Sequence, residues 1–243
     1  MKRDFKQKYK RTALGMVWSV LNPLLTLLTL LVMQLVFTRF FGRNTPHYTT
    51  YLFAGNLMYA YFKEATLGGM NSLMSNAHIF TKINVPKYMF LLTKNVSSII
   101  NFGLTLIVFF VFVAIDRVPF SASFLAILYP IATLTMFNIG VGMVLSALFV
   151  FFRDIQYIYD IFTLLLMYVS AIFYQVDSFP QWVQRVFLLN PVYCNIKYVR
   201  VIVLEGHLPS PAFHGLLLLY GALSLALGGL IYKTQNQKFL YYV

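Results

Sequence analysis

A chain of 243 residues in which 59% are hydrophobic, 18% aromatic and only 11% charged is built for a lipid bilayer, and a water-soluble domain is excluded. The formal net charge of +12 sits in residues flanking apolar runs, the pattern of membrane topology, which argues against a nucleic-acid stripe. The single cysteine, Cys194, excludes an internal disulfide and a cysteine-rich metal site.

Residues 1–21 read as an amphipathic helix lying on an anionic membrane surface. Phe5, Tyr9, Ala13, Met16 and Val20 share one sector, while Arg3, Lys6, Lys10 and Arg11 point elsewhere and anchor it to lipid. Asn22 and Pro23 suit the cap and first turn of the next helix, so the chain bends there from lying on the bilayer to crossing it. The apolar run that follows is longer than a signal-peptide core and lacks a small-residue cleavage signal, so this start stays uncleaved.

A hydrocarbon core about 30 Å thick needs about 20 apolar helical residues. Six stretches qualify: 22–41, 51–70, 91–115, 124–149, 157–175 and 213–232. Six crossings leave both termini on one side. Lys2, Arg3, Lys6, Lys8, Lys10, Arg11, Lys82, Lys87, Arg153, Lys233 and Lys238 fall on that side, which is therefore cytoplasmic.

The inner loop 71–88 is polar and turn-prone. It reads as a short cytoplasmic helix over Asn76, Ala77, His78, Ile79, Phe80, Thr81 and Lys82, ended by Pro86. It is either a lever for a soluble partner or a plain connector. Residues 176–211 are broken by Pro180, Asn190-Pro191, Pro209 and Pro211, and the pieces 181–189 and 192–204 are too short to cross. They predict an external re-entrant or interfacial helix pair, which either closes the outer mouth of a path or lies on the surface with Trp182 and Tyr198 at the headgroups.

The sequence holds no phosphate loop, no nucleophile elbow and no His-Glu-x-x-His pair. His47, His78, His207 and His214 are scattered over loops on both sides, so no metal site and no catalytic residue is assigned. Lys63, Glu64, Lys94 and Asp160 lie within spans, where a central charge costs about 2.5–3.5 kcal/mol on insertion scales. Lys63 and Glu64, being adjacent, do not pair with each other. Lys63, Lys94 and Asp160 either snorkel to the inner surface, or Lys63 or Lys94 receives a phosphate-bearing headgroup with Glu64 as its inward partner. Tyr59, Tyr61, Phe62, Tyr168, Phe173 and Tyr174 are either lipid-facing belts or the lining of a path on which sugar rings stack. The small residues Gly140, Gly142 and Ser146, with Ser224, Gly228 and Gly229, predict close helix packing.

Taken in order, several motifs resemble the membrane subunits of type-2 ATP-binding-cassette exporters, in the polysaccharide and polyol-phosphate branch. They are Arg3-Asp4 with Lys8-Tyr9; Leu14 to Trp18 running to Asn22-Pro23-Leu24-Leu25; Asn76-Ala77 with Lys82 and Val85-Pro86-Lys87; Arg153-Asp154; Ser170 with Phe173-Tyr174; and Asn190-Pro191 with Tyr198 and Arg200. The resemblance implies one all-α permease domain over 1–243 in the bacterial inner (plasma) membrane. It implies a homodimer with two copies of a cytoplasmic ATPase, which would hold ATP and Mg while this chain binds no cofactor. It also implies that 76–82 is a coupling helix, that 176–211 guards the exit, and that the cargo is a lipid-linked glycan such as O-antigen, capsule or teichoic acid. Trp18, Tyr59, Phe62, Lys63, Glu64, Tyr168, Phe173, Tyr174 and Trp182 are the implied path and gate set. Tyr59 stands where the family often has Trp, and Ala171 and Gln175 where prolines are common; the chain also begins later than most relatives. A permease for a drug or small lipid, an enzyme acting on lipid-linked sugars and a proton-driven carrier are the competing readings.

Overall fold

The computed structural model describes residues 25, 28, 29, 32, 47–82, 85–235 and 239. The helix assigned to 1–21, with Arg3, Lys6, Lys10, Arg11 and Trp18, lies outside the described residues, as does nearly all of the first span. Among the described residues the chain is all helical: α1 Tyr48–Met70, the single turn α2 Ala77–Phe80, α3 Tyr88–Ile115, α4 Leu128–Phe151, α5 Ile155–Val169, α6 Gln181–Phe187, α7 Pro191–Arg200 and α8 Pro211–Gln235.

Contacts between helix ends fix the course of the chain. The Thr50 hydroxyl at the start of α1 donates to the Asp116 carboxylate just past α3, and the Tyr129 hydroxyl at the start of α4 donates to the His214 carbonyl in α8, 2.7 Å away. At the opposite end Leu73, Tyr232 and Phe239 share one buried cluster. The long helices therefore run alternately up and down between a loop end, carrying 71–87, and a far end.

Among the described residues three helical stretches are long and apolar enough to cross a bilayer, Tyr88–Ile115, Ala122–Phe151 and Pro211–Gln235; the bent pair formed by α6 and the α7 segment supplies a fourth if counted as one broken span. The helix α1 has 23 residues, most of them buried, and packs against α3, α4 and α7, its Leu52, Phe53, Leu57 and Met58 standing in the main apolar core. Span five departs from the sequence reading. Its helix has 15 residues and stops at Val169, because Ala171 takes a left-handed φ of 52° and the backbone turns back. At about 1.5 Å per residue, α5 falls short of the hydrocarbon thickness.

Small residues set the closest seam, between α4 and α8. A Cβ on Gly140 would lie 2.2 Å from the Ser224 carbonyl carbon, and one on Gly228 would lie 2.7 Å from the Gly140 oxygen. Hydrogen bonds lock the same seam: Ser224 Oγ donates to the Phe137 carbonyl at 2.9 Å, and Ser146 Oγ meets the Tyr232 hydroxyl at 2.7 Å. Gly69 and Gly142 play the same part between α1 and α4, a Gly69 Cβ lying 3.0 Å from Gly142 Cα. Gly229 faces open space and takes no part.

Residues 176–211 form a broken pair, as the prolines predict, bent by 107° between α6 and α7. Asn190 makes the break. Its Oδ1 accepts from the backbone N–H groups of Val192 at 3.0 Å and Tyr193 at 3.3 Å, with Pro191 at the first helical position, where a missing N–H does no harm. Its Nδ2 donates to Ser170 Oγ at 3.0 Å, tying the start of α7 to the end of α5. The two halves of the pair differ. Helix α6 lies outside, with Trp182 70% exposed, whereas α7 is core, Val192 to Ile196 and Tyr198 to Arg200 being buried. Tyr198 is therefore no headgroup anchor: its hydroxyl meets His214 Nε2 at 2.6 Å, and its ring stacks on Tyr129.

Candidate functional site

The loop end presents a small, braced platform. After α1 the chain makes a 3-10 turn, Met74–Asn76, and then the single turn α2. Side chains bind this stretch to itself: Asn71 Nδ2 donates to the Leu67 carbonyl at 2.9 Å, Asn76 Nδ2 to the Ser72 carbonyl at 2.8 Å, and Thr81 Oγ1 to the Ala77 carbonyl at 2.9 Å. Leu73 is fully buried against Ala147, Val150, Tyr232 and Phe239, so the turn is seated on α4 and the C-terminal segment. Lys87 closes the platform with its ammonium 5.6 Å from the Phe239 ring centroid, and burial pulls that ammonium below the usual lysine range. His78, Thr81 and Lys82 are exposed, while Asn76, Ala77 and Ile79 are half-buried. The exposed face of this braced turn is polar, with His78, Thr81 and Lys82 outermost.

The described members of the path set drawn from the sequence do not converge on one cavity within the protomer. Tyr59 is buried and donates its hydroxyl to the Thr163 carbonyl of α5 at 2.5 Å; Tyr159 returns the link from α5 to Thr66 of α1 at 2.6 Å. Phe62 stacks on Phe137 of α4, ring centroids 6.1 Å apart, and opens on a groove of about 450 Å³ shared with Tyr159, Phe162, Leu166 and Leu223. Glu64 faces α3, accepting from Asn101 Nδ2 at 2.6 Å, and Lys63 is half-buried beside it. Tyr168, Phe173 and Tyr174 do gather, at the far end, where the Tyr168 and Phe173 rings are 5.9 Å apart and the Tyr174 hydroxyl donates to the Tyr168 carbonyl at 2.8 Å. Helix α1 holds them, Tyr48 donating to the Phe173 carbonyl at 2.9 Å and Tyr51 to the Tyr174 carbonyl at 2.6 Å. Trp182 stands apart on the surface. Helix α5 turns Tyr157, Ile158, Ile161, Leu164, Leu165 and Tyr168 outward, an apolar face suited to lipid or to another helix.

At the far end stands a residue that the sequence offers as part of the motif with Asn190-Pro191 and Tyr198. Arg200 is 6% exposed. Its Nε donates to the Tyr51 carbonyl at 3.3 Å, one terminal nitrogen to the Ala171 carbonyl at 2.9 Å, and the other to the Ile172 carbonyl at 3.0 Å. Its guanidinium lies flat over the Tyr51 ring, 3.4 Å from the centroid. It thus caps the carbonyls freed where α5 ends and pins that turn to α1 and α7. The available signal was a charge on an apolar face shared with Val192, Ile196, Val199 and Val203.

With this geometry in view, comparison with known proteins is informative. The family model for the ABC-2 type transporter matches residues 1–204. The chain is 28% identical over 207 residues, 85% of its length and 79% of the relative, to the O-antigen export system permease protein RfbA of Klebsiella pneumoniae. It is 24% identical over 199 residues, 82% of the chain and 75% of the relative, to the capsule polysaccharide export inner-membrane protein CtrC of Neisseria meningitidis serogroup B. Against the polysialic acid transport protein KpsM of Escherichia coli the identity is 21% over 249 residues, 98% of the chain and 92% of the relative.

Proposed function

Because the chain belongs to the ABC-2 type transporter family, we propose that it is the membrane-spanning permease subunit of an ATP-driven exporter that moves a lipid-linked polysaccharide out across the bacterial inner membrane. It is a transport subunit and not an enzyme. Two copies form the conduit, each crossing six times with both termini inside, and each carries a cytoplasmic ATPase that holds ATP and Mg. A polar glycan cannot enter hydrocarbon unaided, and path residues directed at different neighbours within one protomer fit a route that closes only between protomers. The exposed apolar face of α5 supplies that seam. Within it Tyr168, Phe173, Tyr174 and Trp182 serve the exit, and Lys63 meets phosphate at the inner side.

The observation that carries this reading is the braced turn 76–82, a polar platform fixed to two long helices and to the C-terminal segment. Its outer face receives the ATPase, and closure of the ATPase pair tilts α1 and α3 together. Lys82 is exposed, so Lys82→Glu leaves the fold intact. Reversing its charge at a docking face is expected to weaken co-purification of the ATPase and to lower export about tenfold or more, at unchanged membrane levels of the chain. Normal assembly and normal export in this variant would remove the coupling assignment.

A further inference from the structure

The far end holds a cavity of about 720 Å³ between the start of α1, helix α7 and the start of α8. That volume is typical of small-ligand pockets, which span about 300–1,000 Å³. Four rings, Tyr48, Tyr51, Tyr193 and Phe213, form much of its wall. Among the described residues of the lining, two cations, Lys197 and Arg200, are matched by two carboxylates, Asp177 and Glu205.

Several of these groups are uncommitted. Tyr193 is 3% exposed overall and lines the cavity; its hydroxyl makes no hydrogen bond to the described residues and is not one of their sealed-off unpaired polar atoms, so it is open to a ligand in the cavity. Neither the Lys197 ammonium nor the Arg200 guanidinium has a carboxylate within 4.0 Å among the described residues, where the pairs at this end are His47 with Asp116 at 3.6 Å and His207 with Glu205 at 3.5 Å. Arg200 has five N–H donors, of which carbonyls take three. Donors, acceptors and ring faces around a charge-balanced hollow match a sugar, whose hydroxyls both give and accept hydrogen bonds and whose C–H faces lie on aromatic rings. A phosphate or a uronate would instead leave the two carboxylates opposing it.

We propose that this cavity binds an uncharged saccharide stretch of the exported polymer as it leaves on the outer side. This assignment rests on the export reading, which sets the far end outside. Tyr193 gives its hydroxyl proton to a sugar oxygen, Lys197 and Arg200 donate beside it, and Asp177 and Glu205 accept from sugar hydroxyls.

The test is calorimetric titration of the purified permease–ATPase complex with a short neutral hexose oligosaccharide, and with a hexuronate oligosaccharide of equal length. The neutral probe should bind and the uronate should bind less tightly. Tyr193→Phe should weaken the neutral probe about 3- to 10-fold, the worth of one neutral hydrogen bond, while the thermal midpoint of the ligand-free complex stays near that of the parent, because no protein partner of the hydroxyl is lost. Lys197→Met should weaken it as well. Absence of neutral binding, tighter uronate binding, or unchanged affinity in Tyr193→Phe would overturn the site. Export by the parent complex is scored separately: export without oligosaccharide binding removes this site alone, and absence of ATP-dependent export removes the reading beneath it.

Discussion

Replacing Gly140 with alanine is expected to separate α8 from α4 and to lower the yield of monodisperse protein sharply. The new Cβ would sit 2.2 Å from the carbonyl carbon and 2.3 Å from the carbonyl oxygen of Ser224, and both are backbone atoms of a packed helix. No rotamer relieves such a contact, so the helices must move apart. That movement strips the 2.9 Å bond from Ser224 to Phe137 and the 2.7 Å contact between Ser146 and Tyr232. Overpacking of side chains alone costs about 1–3 kcal/mol, and loss of the neighbouring bonds adds about 1 kcal/mol each. Against a total stability of about 5–15 kcal/mol this is a large fraction. Gly229→Ala is the matched control, since nothing lies within 4 Å of its Cβ position. Size-exclusion profiles and thermal midpoints of the two variants should diverge, with Gly229→Ala close to the parent; a Gly140→Ala protein as stable as Gly229→Ala would refute the packing account.

The second large effect is expected at Arg200. Two opposing terms meet there. A buried guanidinium with no carboxylate within 4.0 Å carries a desolvation penalty, which its removal would relieve. Its three carbonyl bonds, at 2.9–3.3 Å, are charge-assisted and worth about 1.5–3 kcal/mol each, and its stacking on Tyr51 adds about 2 kcal/mol when desolvated. The second term wins, because Arg200→Met also leaves the Ala171 and Ile172 carbonyls buried without a donor at a left-handed turn. Arg200→Met should therefore lower the thermal midpoint by several degrees, at about 2–4 °C per kcal/mol for a chain of this size. Lysine should fail to rescue, because one ammonium cannot reproduce the planar fork that reaches three carbonyls on two segments. Full stability in Arg200→Lys would show that charge, and not donor geometry, holds the turn.

These two sites also mark how far the sequence could be read. Gly140, Gly142, Ser146, Ser224 and Gly228 were legible as a packing seam because small residues at helical spacing state their purpose locally. Gly229 was misjudged with them, since one residue of rotation, about 100°, turns it to the other face. The helix start at Asn190-Pro191 was legible for the same reason: a cap is made by neighbours in sequence. The end of α5 was not. The run 157–175 stays apolar, but the backbone turns at Ala171 under the hold of Arg200, 29 residues away, and no local pattern announces a contact of that range. Helix α7 was hidden by its own composition. Tyrosines, Asn195, Lys197 and Arg200 give it the look of an interfacial helix, but three of these are answered inside the bundle, Asn195 by Thr133 at 3.1 Å, Tyr198 by His214 at 2.6 Å and Arg200 by three carbonyls. Of the site residues, the described ones on the loop 76–82 form a braced turn with exposed polar groups, and polarity between two spans is a local signal. The described members of the path set are scattered within the protomer, and the proposed route between protomers would be a property of two surfaces and not of one sequence face.

The most direct test of the whole account is transport in inside-out vesicles holding the purified chain, with and without its cognate ATPase, supplied with a radiolabelled lipid-linked polysaccharide. The account predicts transfer into the lumen only when the chain, the ATPase, ATP and Mg are all present. Transfer by the chain alone, without nucleotide, would contradict it.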